Sequence, residues 1–332
     1  MRATQLIREM VNLNSVLRTV CIEGPPGGGK TTIVRQVAVQ ADKHYIERHL
    51  PTMPVEDFGA PDMLSKEMFF GYKMPEWFPY KGSPIDDGRG GILLFDDRNQ
   101  AGADLQKVLA NICQARNLHG VELADGWQIV STGNRQADRA GANRVLSHLR
   151  DRETVLDLET NLDDWTTWAI DNGVNPSLIS FIRFRPGLLH DFDPQRENNP
   201  TPRSWVEGVS DIIDVVSPDA EFECFKGAVG EGPAAEYVGF RKIERQLPNI
   251  DQLLMNPDTT PVPEEPATLY AISGAIAHKA TNANFARVIT FCNRMPPEFG
   301  VLAVSYATRK NNELASTQAF TDWAVANQDV LF

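Results

Sequence analysis

One stretch, Gly24-Pro-Pro-Gly-Gly-Gly29-Lys30-Thr31, restricts this chain more than any other. It fits the pattern G-x-x-x-x-G-K-[ST]. Glycines carry no Cβ, so successive backbone N–H groups can curl around one anion. The residues before it, VLRTVCIEG, are rich in β-branched types and end in Gly24, which predicts a strand. The residues after it, GKTTIVRQVAVQADKH, predict a helix whose positive end also attracts phosphate. A glycine-rich turn that merely caps a helix is the competing reading, and the order strand, loop, helix argues against it. In this setting Lys30 is expected to reach the β- and γ-phosphates of a nucleotide, and the Thr31 hydroxyl to ligate Mg²⁺. The candidate nucleotide-binding residues are Gly24, Pro25, Pro26, Gly27, Gly28, Gly29, Lys30, Thr31 and Thr32.

The rest of the first half has the matching rhythm. Residues 1–16 carry Leu6, Ile7, Met10, Val11 and Leu13 at helical spacing. A strand is expected at Ile92–Phe95 after the turn run DDGRGG, a helix at Leu105–Ala115, and a strand at Gln128–Thr132 after ADGW. Thr154–Leu158 alternates like a further strand. Strands alternating with helices imply a parallel sheet covered on both faces. The fold class is therefore α/β, a P-loop NTPase αβα sandwich, and from Leu162 onward it gives way to helices. LDDWTTWAI has Asp163 as a candidate cap, and SWVEGVSDIIDVV repeats its apolar residues helically. NPDTTPVPEEP is Pro-rich and acidic and reads as a linker. Beyond it, the groups around Leu269, Phe285 and Phe320 predict three more amphipathic helices.

Polar residues follow the strands in a telling order. Ile92-Leu-Leu-Phe-Asp96-Asp97 ends an apolar strand in two acids, and a parallel strand delivers its end to the rim that holds the phosphate loop. Asp96 is then placed for the Mg²⁺ shell, and Asp97 to orient or deprotonate an attacking water. Asn134, in Ser-Thr-Gly-Asn-Arg135, would lie between those acids and the γ-phosphate. Leu149-Arg-Asp-Arg152-Glu offers an arginine for the γ-phosphate of a neighbouring subunit, with Arg150 competing with Arg152. In Asn199-Pro-Thr-Pro202-Arg203-Ser-Trp205, Arg203 sits in a helix's first turn, where a cation is unfavourable without an anion nearby.

Composition excludes several classes. Over 332 residues, 32 Lys plus Arg against 44 Asp plus Glu give a net charge of −12, which disfavours tight non-specific nucleic-acid binding. At about 150 residues per domain the length suits roughly two domains. No apolar run approaches the roughly 18 residues of a membrane span, and the N-terminus lacks a signal-peptide core. Cys21, Cys113, Cys224 and Cys292 form no C-x-x-C pair and read as reduced core or near-core thiols, which suits a cytoplasmic protein. His44, His49, His119, His148, His190 and His278 show no metal spacing and read as structural or surface residues. Glu221–Glu223 and Glu264-Glu265 read as solvated acids, and Gly230-Glu-Gly232 as a turn.

Taken together, these segments resemble the AAA+ ATPases, and within them the MoxR family, especially its CbbQ-like branch. GPPGGGKT resembles Walker A, ILLFDD Walker B, and DDRNQA the family's D-E-x-N-x-A. Asn134 falls at sensor 1, Arg152 at the arginine finger and Arg203 at sensor 2. LDDWTTWAI, FIRFRP and GAVGEG resemble bacterial and phage relatives of this branch. Two positions depart: Asp97 stands where Glu is usual, and Asp151-Arg152-Glu153 where the family reads N-R-F. The resemblance implies an AAA+ core over residues 1–160, a helical lid over 161–256, and a linker with a C-terminal helical extension over 257–332. It implies ATP and Mg²⁺ as cofactors, a homo-oligomeric, hexameric ring, and ATP-driven chaperone-like remodelling of a client protein. A von Willebrand factor A domain protein is the partner it suggests; Phe69–Phe78 and Asn117–Asp125 are the loops that could face a client, with a hydrophobic plug under a long loop as the preferred reading of the first loop's aromatics. Two other readings stay open: a nucleic-acid motor or loader, against which the charge argues, and a nucleotide-gated scaffold with little turnover, which Asp97 motivates. A GTPase is disfavoured because no N-K-x-D motif occurs.

Overall fold

A computed structural model describes residues 1–62, 71–138 and 143–327, without the side chain of Ala137. The chain divides into two compact units, Met1–Asn161 and Leu162–Phe332.

The first unit is built on a parallel five-stranded sheet. Its strands are β1 (Val20–Gly24), β2 (His44–His49), β3 (Gly91–Asp96), β4 (Trp127–Asn134) and β5 (Thr154–Asp157). Their order is β2-β3-β4-β1-β5. The helices are α1 (Ala3–Asn14), α2 (Lys30–Gln40), α3 (Ala103–Ala115) and the short α4 (Ser147–Arg150). The alternation within β3 explains the layering. Ile92 and Leu94 join Leu6, Met10, Ile33, Val34 and Val37 in one core, beside α1 and α2. Leu93 and Phe95 join Leu105, Leu109 and Ile112 in another, beside α3. A strand buried on both faces must be apolar throughout, and this one is. The sandwich with a parallel sheet is the P-loop NTPase fold expected from the sequence.

Two local readings change. The first strand begins at Val20, because Leu17 adopts a left-handed φ of 53° in the turn after α1. β2 went unread because it is an edge strand: HYIERH alternates half-exposed, largely polar residues and offers no apolar run. Gly90 and Gly126 show why the turns DDGRGG and ADGW need glycine. Both have positive φ, and a Cβ on Gly90 would lie 2.3 Å from the Gly126 carbonyl oxygen.

The second unit is helical: α5 (Leu162–Asp171), α6 (Pro176–Phe184), α7 (Pro202–Trp205), α8 (Glu221–Val229), α9 (Glu231–Arg245), α10 (Ile250–Met255), α11 (Pro266–Lys279), α12 (Phe285–Cys292), α13 (Pro297–Lys310) and α14 (Gln318–Ala326). Its core is continuous from Trp165 to Trp323, so the helices after residue 257 share one interior with those before it. Trp205 is fully buried against Phe181 and Tyr237, and its Nε1 donates to the Leu188 carbonyl at 2.6 Å. Truncating such an aromatic to Ala costs about 3–5 kcal/mol.

Several sequence expectations are corrected here. Asp163 lies in the first turn of α5 and not at its cap. SWVEGVSDIIDVV does not form one regular helix: a π-turn at Val206–Ser210 follows α7, where Gly208 approaches α8 so closely that a Cβ would sit 2.5 Å from that of Ala228. Gly230 joins α8 to α9 at φ 91°, and Glu231 and Gly232 are already helical. Glu221 is buried, ion-paired with Arg241 and Arg245, so it is no solvated acid. The linker segment carries no helix or strand at 257–265, yet it is fastened by Arg294, whose Nη1 donates to the carbonyls of Pro257 and Thr260. Cys21, Cys113 and Cys292 are buried, and Cys224 is exposed. Among the described residues no helix is long and apolar enough to cross a membrane.

Candidate active site

Parallel pairing brings the strand ends to one rim. Gly24 lies opposite Asn134, and His49 opposite Asp96. The loop turns through Gly27 (φ 68°) and Gly29 (φ 87°), with the Gly28 N–H donating to the Pro25 carbonyl at 3.2 Å. Both φ values favour glycine, so Gly27 and Gly29 are conformational requirements here.

Lys30 opens α2, and its side chain is buried beneath the loop. Its Nζ donates to the carbonyls of Gly24 (3.2 Å) and Pro25 (3.1 Å) and to Asn134 Oδ1 (2.9 Å). Thr31 Oγ1 donates to Asp96 Oδ1 at 3.0 Å, and the Thr132 hydroxyl donates to that same oxygen. Thr132 Oγ1 also accepts the Asp97 N–H at 3.0 Å. Thus Lys30, Thr31, Asp96 and Asn134 come together at the loop. Thr32, one residue further, is exposed.

Asp97 turns the chain off the strand at φ 54°. That left-handed conformation strains most side chains and is tolerated by Asp, whose short polar group bonds locally. Asn99 then brackets the sensor-like asparagine: its Nδ2 donates to the Asn134 carbonyl at 2.5 Å, and its Oδ1 accepts the Asn134 N–H at 3.2 Å. Gly133 makes room, since a Cβ there would lie 3.0 Å from Asn99 Oδ1.

The sequence reading missed His49. It ends the unread edge strand, and its Nδ1 stands 4.0 Å from Asp96 Oδ2 and 3.9 Å from Asp97 Oδ2. Only the pairing of β2 with β3 could have revealed it, because nothing in its sequence spacing points to the acids. The Thr31 hydroxyl and Asp96 carboxylate are hard oxygen donors on one rim and fit a magnesium ion. His49, Asp96 and Asp97 together offer three donor atoms within 4.8 Å of one another.

The arginines lie elsewhere. Arg152 Nε donates to Gln114 Oε1 at 2.8 Å, and its Nη1 to the His148 carbonyl, so its bonds within the described residues go to α3 and α4 and not to the loop. Arg150 reaches Glu23 Oε1 at 3.5 Å. Glu153 is buried: it accepts from Ser131 Oγ at 2.5 Å and lies 3.2 Å from Arg98 Nε. Arg203 belongs to the second unit, in the first turn of α7 with a Thr201/Ser204 capping box, 4.0 Å from Glu207.

Of the two loops expected to face a client, the first has Phe69 and Phe70 outside the described residues. Phe78 is fully buried and Trp77 packs edge-on against Phe58 and Phe95, which makes this part a plug under the loop. Tyr72 stacks on His119 at 3.8 Å. Asn117–Leu118 pairs with Val121–Glu122 as a small hairpin.

Residues 19–152 match the family model of the AAA domain, dynein-related subfamily. This segment is an AAA domain. It holds the phosphate loop, both acids and Asn134, and ends on Arg152. The AAA domain makes the chain an ATPase. No curated protein sequence matches it. Among solved structures, NtrX from Brucella abortus in complex with ATP is 12% identical, with 99% of this chain and 68% of that chain covered at a TM-score of 0.41. The same protein in complex with ADP is 13% identical, with 99% and 67% covered at 0.38. An ATPase candidate from Cytophaga hutchinsonii is 15% identical, with 92% and 80% covered at 0.36.

Proposed function

We propose that this AAA ATPase is a MoxR-type ring protein of the cytoplasm that uses ATP to remodel a client. The observation that carries the reading is the pair of hydrogen bonds Lys30–Asn134 and Thr31–Asp96 on one rim of the sheet. In the proposed cycle the loop amides and the start of α2 hold the triphosphate. Lys30 exchanges the Gly24, Pro25 and Asn134 oxygens for phosphate oxygens. Thr31 and Asp96 would hold Mg²⁺, which would supply positive charge to offset the charge developing on the phosphates. Asp97 orients the attacking water and takes its proton, and Asn134 holds that water in line. Asp97 is one methylene shorter than glutamate, which favours slow turnover.

Oligomerisation is part of the same proposal. Arg152 follows the last helix before β5 and would serve the γ-phosphate of a neighbouring subunit, in a homo-oligomer expected to be a hexameric ring. Arg203 carries the expectation of a second cation for the nucleotide. A von Willebrand factor A domain protein and a client are the proposed partners. The −12 net charge weighs against a nucleic-acid motor.

The test mixes Asp97→Asn subunits with Arg152→Ala subunits. Partial recovery of phosphate release is expected, since some interfaces then pair an intact acid with an intact arginine. No recovery despite co-assembly would remove the trans role. Wild-type phosphate release at buffer background would instead favour the nucleotide-gated scaffold.

A further inference from the structure

Three charged side chains that the proposed cycle does not use are buried together in the first unit. Each is the sequence neighbour of a residue that the cycle does use. Glu23 precedes Gly24, Arg98 follows Asp97, and Glu153 follows Arg152. The Arg98 side chain is 0% exposed. Its Nη2 donates to Glu23 Oε1 at 2.9 Å, and its Nε lies 3.2 Å from Glu153 Oε2. Ser131 on β4 holds the other Glu153 oxygen, and the Arg98 N–H donates to the Thr132 carbonyl at 2.8 Å. Cys21 lies 2.9 Å from Arg98 Nε, and burial pushes its thiol up to about 12, so it stays neutral.

Stability alone is a poor reason for this arrangement. A buried ion pair is often no better than apolar residues of the same volume, because desolvation offsets the attraction. A guanidinium does offer a rigid planar fork that fixes two carboxylates at set angles. Here that fork reaches strand β1 just before the phosphate loop, the turn of Asp97, and the segment of Arg152. It also accounts for Glu153 where the resembling family carries an apolar Phe.

We propose that Arg98 is a positioning residue for ATP turnover, clamping the phosphate-loop strand, the Asp97 turn and the Arg152 segment together through Glu23 and Glu153. This inference rests on the roles given above to Asp97 and Arg152.

The test uses the full chain as wild type, Glu153→Gln, and the double variant Arg98→Met with Glu153→Met. Steady-state phosphate release gives kcat and KM for ATP. Hydrogen exchange is followed in the segments around Glu23, Arg98 and Glu153, with Ile92–Leu94 as the reference. Glu153→Gln keeps size and shape and so decides the matter if the double variant does not fold. The expected result is a kcat about tenfold to a hundredfold lower, the scale of a misplacement of ~1 Å, with KM within about threefold. Exchange should quicken in all three segments together and stay unchanged in the reference strand. A kcat within about twofold of wild type overturns the inference while leaving the ATPase reading intact. If wild type itself releases no phosphate, the reading of the cycle fails. Exchange then decides the clamp alone: joint quickening supports it, and three unmoved or independently moving segments overturn it.

Discussion

Both units bury an acid–arginine cluster, and the two have different centres. In the AAA domain a buried guanidinium, Arg98, joins two acids, Glu23 and Glu153, with Arg150 at the rim 3.5 Å from Glu23. In the helical unit a buried acid, Glu221, joins two arginines, Arg241 and Arg245, with Arg241 also paired to Glu244 at 3.3 Å. The first cluster joins residues that each abut a proposed site residue in sequence. The second joins α8 to α9, and none of its members abuts a site residue named here. The contrast separates two uses of the same chemistry. A cluster that spans several functional segments transmits geometry, and one that ties two helices supplies cohesion.

The comparison presumes that nucleotide binds at the loop of the first unit, and the largest expected effect tests that. Lys30→Ala removes a charge that can make several charge-assisted bonds to phosphate, each worth about 1.5–3 kcal/mol. ATP affinity should fall by at least about a hundredfold in equilibrium binding. Undiminished binding would take the nucleotide away from this loop and the first cluster away from any site. Asp97→Asn should leave ATP affinity within about threefold while phosphate release falls by about 10²–10⁴. Comparable turnover in that variant would hand the water to another group, and His49 is the nearest candidate at 3.9 Å.

How much of this could be read beforehand divides along the same line. The loop, the acids and Asn134 were legible because each sits at the end of an apolar strand, where a short polar motif stands out. Glu153 was visible only as a departure within a motif, and Arg98 only as a free position of one, since burial of a charge has no signature in one sequence. β2 was hidden because edge strands need little apolar character, and His49 was hidden with it. In the helical unit, α11, α12 and α14 showed the expected apolar spacing. α8, α9 and α13 went unread although their apolar residues also recur helically, as at Phe225/Val229 and Ala234/Tyr237/Phe240, and Glu221 looked like surface until its arginines, 20 and 24 residues on, folded back over it.

A smaller effect sharpens the contrast. Glu221→Gln removes the counter-charge that Arg241 and Arg245 share and leaves Arg241 with Glu244. Both arginines keep some contact with water, so the expected loss is on the order of 1–3 kcal/mol of folding stability, read by denaturant unfolding. Turnover per folded molecule should stay within about twofold. If instead kcat fell as in Glu153→Gln at unchanged stability, the helical cluster would also be transmitting geometry, and the distinction drawn between the two units would fail.

The smallest expected effect is a slope with pH. Burial holds the Glu153 carboxyl above the ordinary glutamate value, and the opposing pull of Arg98 does not cancel it. A carboxyl raised in the folded state binds its proton more tightly there than in the unfolded chain. Its contribution is therefore most favourable below the unfolded value of about 4.3, and is lost as pH rises through the folded value. Glu153→Gln removes this term. Unfolding curves from about pH 4 to about pH 8 should thus show wild type losing stability relative to the variant as pH rises. At neutral pH the wild type should therefore hold less advantage over the variant than at about pH 4, while the variant turns over more slowly. Those two results together would mean that the ionised Glu153 is retained for where it holds Arg98 and Arg152, at some expense of stability. A wild type that instead gains on the variant with rising pH would place Glu153 among residues that simply stabilise the fold, as Glu221 is expected to do.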